Sequence, residues 1–317
     1  MGRGPRALGA HARRGRPARR LVRRARLRDG PRGARDQRQR RGEAGGPRQR
    51  RLAGPQMTPA DTLAAALLEV TDRPLLAVWV AGSHAHGLAD PLSDVDLRAV
   101  AAPSADDILM GEARWTRSAA GADVTVMTPL SFHDAMAKGS HTQLEALTLP
   151  DDCLISDAGG LLAAFRPLAG ELTTRATVDS ALGNARSNLH LLARRGDWDE
   201  RRIRKTQAET LRLLAAAGIV SSGGRTRVPW PCRLDPDDLE ALMQVRREGM
   251  DPAELERQLP VVAEYAAAHR PPGLTKRARA RARDAALRIQ RAVLDGSART
   301  VTAGEAGALL AEWERRL

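Results

Sequence analysis

The chain has 317 residues, which is enough for two domains of ordinary size. Its net charge of +13 would suit a nucleic-acid-binding protein, but that charge is unevenly distributed. Residues 1–56 hold 19 arginines against three carboxylates, a charge of +16, which leaves −3 for the remainder. The basicity therefore belongs to the N-terminal segment alone.

The N-terminal segment 1–56 consists mainly of Arg, Gly, Ala and Pro and has almost no large apolar side chains. Such a segment cannot bury enough apolar surface to offset its ordering entropy, so we expect it to be disordered. Met57 comes directly before a helix start, with Thr58 as N-cap and Pro59 in the first turn. Three interpretations stay open: an upstream extension that is not translated in the cell, a nucleic-acid-binding arm, or a transit peptide.

Neither a membrane span nor a secretory signal is visible in the sequence. No apolar run approaches the roughly 18 residues of a membrane span, and arginine interrupts every apolar stretch near the N-terminus. Cys153 and Cys232, the only cysteines, have no zinc-ligand spacing, so we expect buried free thiols. Together these features predict a soluble, cytoplasmic protein.

In chain order, the hydrophobic pattern first predicts a helix over 58–71 and a buried strand over 75–81. Alternating apolar and polar residues predict two further strands at 94–100 and 123–127. After Pro129 no strand pattern is visible. Helices are expected there at about 130–149, 157–168, 178–195, 199–217, 236–248, 252–268, 275–294 and 303–316. The order predicts an α+β fold: a small mixed-sheet domain at residues 57–150, followed by a helical domain at residues 151–317.

A glycine and a serine follow the first predicted strand. Gly82 can adopt positive φ and allows a ligand to approach the backbone closely. Backbone N–H groups at such a junction attract phosphate, and the Ser83 hydroxyl adds a hydrogen-bond donor. We interpret Gly82 and Ser83 as candidate nucleotide-binding residues.

Three aspartates form a candidate metal site. Asp94 and Asp96 are separated by one residue on a predicted strand, so their side chains share a face, and Asp123 opens a later strand. Adjacent carboxylates repel each other unless a cation lies between them, and oxygen ligands suit Mg²⁺ or Mn²⁺. Such a set suits two-metal nucleotidyl transfer, in which one ion activates a hydroxyl and the other steadies the triphosphate and the leaving pyrophosphate.

These residues resemble the signature of the DNA polymerase beta-like nucleotidyltransferase superfamily: a strand-end Gly-Ser, ten residues, Asp-x-Asp, and a later strand carboxylate. The segments GSHAHGLA at 82–89 and SDVDLR at 93–98 are similar to the predicted nucleotidyltransferase family linked to bacterial RNA-repair pathways. The resemblance is good over 75–149 and loose over 180–265. It implies a metal-dependent enzyme that moves NMP from an NTP to a hydroxyl, with RNA as a candidate acceptor. His84 stands where that family usually has Arg or an aromatic residue, so no phosphate contact carries over to it.

Several other charged residues are candidates for the same site. Arg98 lies on the face of Asp96, where it could contact substrate or pair with an acid. Lys138 and Lys205, two of only three lysines in the chain, could meet triphosphate charge or lie on solvated helix faces. His86 is either a ligand contact or a loop cap, and Glu145 either orients an active-site group or makes a structural hydrogen bond.

Two other classes of function stay open from the sequence. The chain could be a nucleotidyltransferase-like module of a toxin–antitoxin or regulatory pair that acts on a protein partner. It could instead be a nucleic-acid-binding protein that acts through segment 1–56. Retention of all three aspartates argues against an inert module, and the acidic remainder argues against the nucleic-acid-binding protein. The nucleotide, the acceptor and the oligomeric state are not specified by these patterns.

We predict that removal of residues 1–56 leaves thermal stability unchanged, because the segment lacks apolar side chains to pack. The unfolding midpoints of the full chain and of residues 57–317 should agree within about 2 °C, since 1 kcal/mol shifts the midpoint by roughly 2–4 °C at this size. A loss of several degrees on truncation would show that the segment packs against the rest.

Overall fold

The computed structural model describes residues 59–119, 122–194 and 196–316. The predictions for segment 1–56 and for the cap at Thr58 therefore lie outside the described residues. Five strands are present: β1 (Leu75–Ala81), β2 (Asp96–Ala101), β3 (Thr116–Ser118), β4 (Val124–Met127) and β5 (Leu154–Ser156). The first helices are α1 (Pro59–Val70), α2 (Gly82–His86), α3 (Ala105–Leu109), α4 (Pro129–Ala137), α5 (His141–Glu145), α6 (Leu161–Phe165) and α7 (Ala169–Leu172). The later helices are α8 (Arg175–Arg194), α9 (Glu200–Ser222), α10 (Pro236–Glu248), α11 (Pro252–Ala268), α12 (Lys276–Leu294) and α13 (Ala303–Glu314).

The strands form one mixed sheet in the order β3-β4-β2-β1-β5. β1 pairs antiparallel with β2 and β5, β2 pairs parallel with β4, and β3 pairs antiparallel with β4. All seven residues of β1 are buried, as expected for a central strand with a continuous apolar sequence. The predicted α+β class is confirmed.

Strand register determines which residues meet at one end of the sheet. Ala81, the last residue of β1, pairs with Asp96, the first residue of β2. In the parallel pair, Leu97 aligns with Val124, and its N–H donates to the carbonyl of Asp123 at 2.7 Å. The end of β1 and the starts of β2 and β4 therefore lie at the same end of the sheet.

Two strand predictions need correction. The predicted strand 94–100 begins only at Asp96, so Asp94 precedes the sheet. The expectation of no strand after Pro129 was wrong, because Leu154–Ser156 pairs with the edge of β1. Three residues are too few for a visible alternation, and all three are only half-buried.

Helix boundaries depend on local capping. α10 and α11 run as predicted, because Asp235 and Asp251 accept hydrogen bonds from the backbone N–H groups of their first turns. The predicted helix 130–149 is instead broken between α4 and α5, where Gly139 has a φ of 86°. α9 extends beyond the predicted end at residue 217, because its later turns are buried.

Apolar packing continues from the sheet into the helices. Trp79 of β1 packs edge-on against Phe132, with ring centroids 6.0 Å apart, and Phe132 packs on Phe165 at 5.8 Å. Near the C-terminus, Val301 and Leu75 exchange two backbone hydrogen bonds of 2.7 and 2.9 Å. The chain after residue 150 therefore contacts the sheet repeatedly, and the division at that residue stays a prediction.

The two cysteines are buried and free, which confirms that prediction. Burial raises the pKa of the Cys153 thiol to about 12 and also raises the pKa of Cys232. Within the described ranges, no helix has both the length and the apolar composition that crossing a bilayer requires.

Candidate functional site

The chain leaves β1 through a tight turn that forms α2. Gly82 has a φ of 60°, which favours glycine, and Gly87 ends the turn with a φ of 72°. The N–H of Leu88 donates to the carbonyl of Ser83 at 2.8 Å and closes the turn. This segment is thus a single helical turn, with Gly82 and Ser83 at its N-terminal end.

Gly82 lies directly against the side chain of Asp96. A β-carbon added at Gly82 would lie 1.6 Å from Asp96 Oδ2. Any other residue at this position would therefore have to displace the Asp96 carboxylate. Only glycine allows this backbone to approach the carboxylate so closely. The turn and the predicted metal ligand therefore belong to one site.

Asp96 and Asp123 lie side by side at the starts of β2 and β4. Asp96 is largely desolvated, and this burial, together with the negative charge of Asp123, raises the pKa of the Asp96 carboxyl. The nearby cations Lys205 and Arg98 lower it only in part. The two carboxylates thus repel each other, although only Asp96 is partly buried and Asp123 is exposed.

Asp94 is placed differently from the prediction. Because β2 begins at Asp96, Asp94 lies in the preceding loop instead of on the strand, and its side chain is 68% exposed. Lys205 Nζ lies 3.7 Å from Asp94 Oδ2. Asp94 and Asp123 line one cleft beside α1, whereas Asp96 lines a different cleft beside the turn.

The aspartates beside the turn are candidate ligands for a divalent cation. No group of three His, Cys, Asp or Glu side chains in the described parts of the chain is arranged to hold a metal ion. Asp96 and Asp123 nevertheless fit one, since their oxygens are hard donors and a cation between them would relieve the repulsion that raises the pKa of Asp96. Asp94 would have to leave Lys205 to join them.

A cleft of about 480 Å³ opens beside the turn. The cleft is lined by four of the predicted nucleotide-binding residues, Gly82, Ser83, Arg98 and Lys205, together with Asp96. The remaining lining residues are Ala81, His86, Leu88, His141, Thr142, Glu145, Asn184, Ser187, Asn188, Glu209, Arg212, Leu213 and Arg246. Ser83 Oγ and Arg98 Nε are buried without a hydrogen-bond partner among the described residues, so both are available to a ligand.

Lys138, predicted as a nucleotide-binding residue, does not line this cleft. It caps the C-terminus of α4, is exposed, and is not among the lining residues. His84 also points elsewhere: its ring packs edge-on against Trp313 at 5.4 Å and lines a separate cavity of about 180 Å³. Neither residue is therefore part of the candidate phosphate site.

Glu145 is the centre of a buried polar cluster at the floor of the cleft. Its carboxylate accepts a hydrogen bond from His86 Nε2 at 3.1 Å and one from Trp230 Nε1 at 3.3 Å. Arg212 Nη2 lies 2.9 Å from the same carboxylate and also donates to Glu209 at 2.8 Å. The cluster therefore joins the turn α2 to α5, α9 and the segment before α10.

Charge balance keeps this cluster ionised. Burial acts to raise the pKa of Glu145, but the charge of Arg212 and the hydrogen bond from His86 outweigh it and hold that pKa well below its usual range. The pKa of Arg212 is raised by its two carboxylate partners against the effect of burial. One guanidinium nitrogen, Arg212 Nη1, is buried and has no partner among the described residues.

A second ion cluster holds the loop that follows the turn. Asp90 accepts hydrogen bonds from Arg201 at 3.0 Å and from Arg246 at 3.1 Å, and Arg246 also donates to Ser93 at 2.8 Å. Burial opposes ionisation of Asp90, but these arginines lower its pKa to about 2. The helices α9 and α10 therefore fix both ends of the segment between Gly87 and Asp94.

Sequence reasoning missed the helical contributors Glu209, Arg212 and Arg246. Each lies in a predicted helix among many other charged residues, and nothing in the 3.6-residue period separates a buried charge from a solvated one. The only usable signal was their spacing, since Glu209 and Arg212 are three residues apart on one helix face.

Comparison with known proteins does not identify a relative. No protein-family model and no curated protein sequence matches the chain. A functional assignment therefore depends on the motif and on the geometry of the cleft.

We predict that Glu145→Gln destabilises the protein by about 3–5 kcal/mol, because buried Arg212 keeps only the partly exposed Glu209 as a counter-charge and His86 loses its carboxylate acceptor. Glu240→Gln, which breaks the exposed pair with Arg247, is the matched control and should cost less than about 1 kcal/mol. Urea unfolding at neutral pH measures both. Equal effects of the two substitutions would contradict the assigned role of the cluster.

The same cluster predicts an acid dependence. Because the pKa of Glu145 is depressed in the folded state, its stabilisation is complete above the unfolded value of about 4.3 and is lost as the pH falls below it. The Glu145→Gln variant should therefore lose less stability than the parent between neutral pH and about pH 3. Parallel pH curves for the two proteins would contradict this.

Proposed function

We propose that the chain is a metal-dependent nucleotidyltransferase of the DNA polymerase beta-like superfamily, which moves NMP from an NTP to a hydroxyl acceptor and releases pyrophosphate. One observation carries the proposal: the backbone of Gly82 lies against Asp96, which starts its strand beside Asp123. The candidate phosphate-binding turn thus lies against one member of a carboxylate pair, an arrangement that supports nucleotidyl transfer.

Binding of the triphosphate follows from the groups around the turn. The free Ser83 hydroxyl and the N–H groups at the start of α2 are hydrogen-bond donors for phosphate oxygens. Arg98 and Lys205 line the same cleft and supply positive charge. Gly82 keeps the backbone free of a side chain where the phosphates must approach.

Asp96 and Asp123 would hold Mg²⁺ or Mn²⁺, with Asp94 as a third ligand once it separates from Lys205. The bound cation supplies charge neutralisation for the triphosphate and for the developing pyrophosphate. Asp96 is fixed in place by its position opposite Ala81 and by its contact with Gly82. Release of Lys205 from Asp94 would make its ammonium available to the phosphates.

The acceptor in this proposal is a hydroxyl, and an RNA end is the first candidate, on the strength of the resemblance to the RNA-repair-linked family. We also propose a cytoplasmic location, where such an acceptor is present. The charge of −3 outside segment 1–56 provides no general attraction for RNA, so recognition would be local to the cleft and its rim.

We predict that Asp96→Asn abolishes transfer of labelled NMP to total RNA in Mg²⁺ or Mn²⁺, with a loss of about 100-fold or more. The amide has the shape of the carboxylate but cannot offset metal charge, and Asp123→Asn should act in the same direction. Asp179→Asn, on the exposed face of α8, is the matched control and should retain full activity. Full activity of Asp96→Asn would refute the proposal.

We predict that Gly82→Ala weakens nucleotide binding by at least about 10-fold, because the new methyl group displaces the Asp96 carboxylate. Gly111→Ala is the control: Gly111 also has a positive φ, of 76°, but no atom lies within 4 Å of its added β-carbon. Both substitutions carry a backbone strain of about 1–2 kcal/mol, and only Gly82→Ala should change binding. Calorimetric titration with nucleotide would contradict the model if both variants bind like the parent.

A further inference from the structure

One wall of the cleft is formed by neutral polar side chains of α8. Asn184, Ser187 and Asn188 are spaced by three and four residues, so they share one helix face, and all three line the cleft. Neither Ser187 nor Asn188 makes a side-chain hydrogen bond to any described residue. This wall differs in chemistry from the charged groups around the turn.

A buried histidine that also lines the cleft contacts this wall. His141 is only 5% exposed, and burial lowers its pKa, so the imidazole is neutral at physiological pH. Asn184 Nδ2 donates to His141 Nε2 at 3.5 Å, and His141 Nδ1 donates to Ser180 Oγ at 3.4 Å. With this arrangement the Asn184 amide is oriented by the protein, and its Oδ1 remains free to accept a hydrogen bond.

The groups on this wall match an uncharged ligand that carries several hydrogen-bonding sites. Each amide has both donors and acceptors, and the hydroxyl of Ser187 can act as either. A nucleobase edge presents the same mixture, and asparagine pairs with it through two hydrogen bonds. A phosphate accepts only, and would favour the cationic region near Arg98 and Lys205.

We propose that Asn184, Ser187 and Asn188 form the nucleobase subsite of the cleft, oriented by His141. The assignment rests on the proposed function, because it presumes that a nucleoside triphosphate binds with its phosphates at Gly82 and Ser83. The cleft volume of about 480 Å³ lies within the range of small-ligand sites, roughly 300–1,000 Å³.

The test compares two ligands on the full chain by calorimetric titration in Mg²⁺. One is an α,β-methylene nucleoside triphosphate, which cannot transfer NMP, in each of the four base types. The other is inorganic tripolyphosphate, which has no base. Asn184→Ala and Asn188→Ala should each weaken nucleotide binding by about 3- to 10-fold and leave tripolyphosphate binding unchanged. The double variant should also flatten any preference among the four bases.

His190→Ala is the matched control, since His190 is exposed on α8 but does not line the cleft. It should bind both ligands like the parent, and thermal melts should show that every variant folds. If nucleotide and tripolyphosphate bind but the asparagine variants weaken neither or both equally, the subsite assignment is overturned while the proposed function survives. If the parent binds neither ligand, the proposed function falls, and the subsite with it.

Discussion

The arrangement of the cleft depends on the buried carboxylate of Glu145. Three segments that are distant in sequence meet it: the turn through His86, α9 through Arg212, and the chain before α10 through Trp230. Each partner is costly to bury alone and acceptable only in the presence of the others. The cluster therefore fixes the position of the helices relative to the end of the sheet. It thereby fixes the width of the cleft between the helices and the sheet.

At the end of the sheet beside the turn, the neighbouring charges are alike instead of complementary. Asp96 is the first residue of β2, Asp123 directly precedes the neighbouring β4, and Gly82 lies against Asp96 without a side chain between them. This arrangement is unfavourable without a cation and favourable with one. The fold is thus stabilised by complementary ions at Glu145. It also holds a pair of carboxylates whose mutual repulsion a bound cation would relieve.

Much of this could be predicted from the sequence, because its signals are local. The buried run 75–81, the capped starts of α10 and α11, and the Gly-Ser and Asp-x-Asp spacing all follow from periodicity and residue chemistry. The strand β5 and the pairing of Asp94 with Lys205 could not be predicted, since they depend on contacts between distant segments. The same holds for Lys138, whose helix ends before it reaches the cleft. No local pattern distinguishes Arg212, buried between two glutamates, from the many solvated arginines.

In the proposed reaction, the bond that breaks lies between the α- and β-phosphates of the NTP. The most direct measurement follows two labels on the same NTP, one on the α-phosphate and one on the γ-phosphate, during reaction with Mg²⁺ and an RNA acceptor. The account predicts that the α-label becomes attached to the acceptor and that the γ-label appears in pyrophosphate. Transfer of the γ-label to the acceptor, or release of inorganic phosphate without α-label transfer, would contradict it.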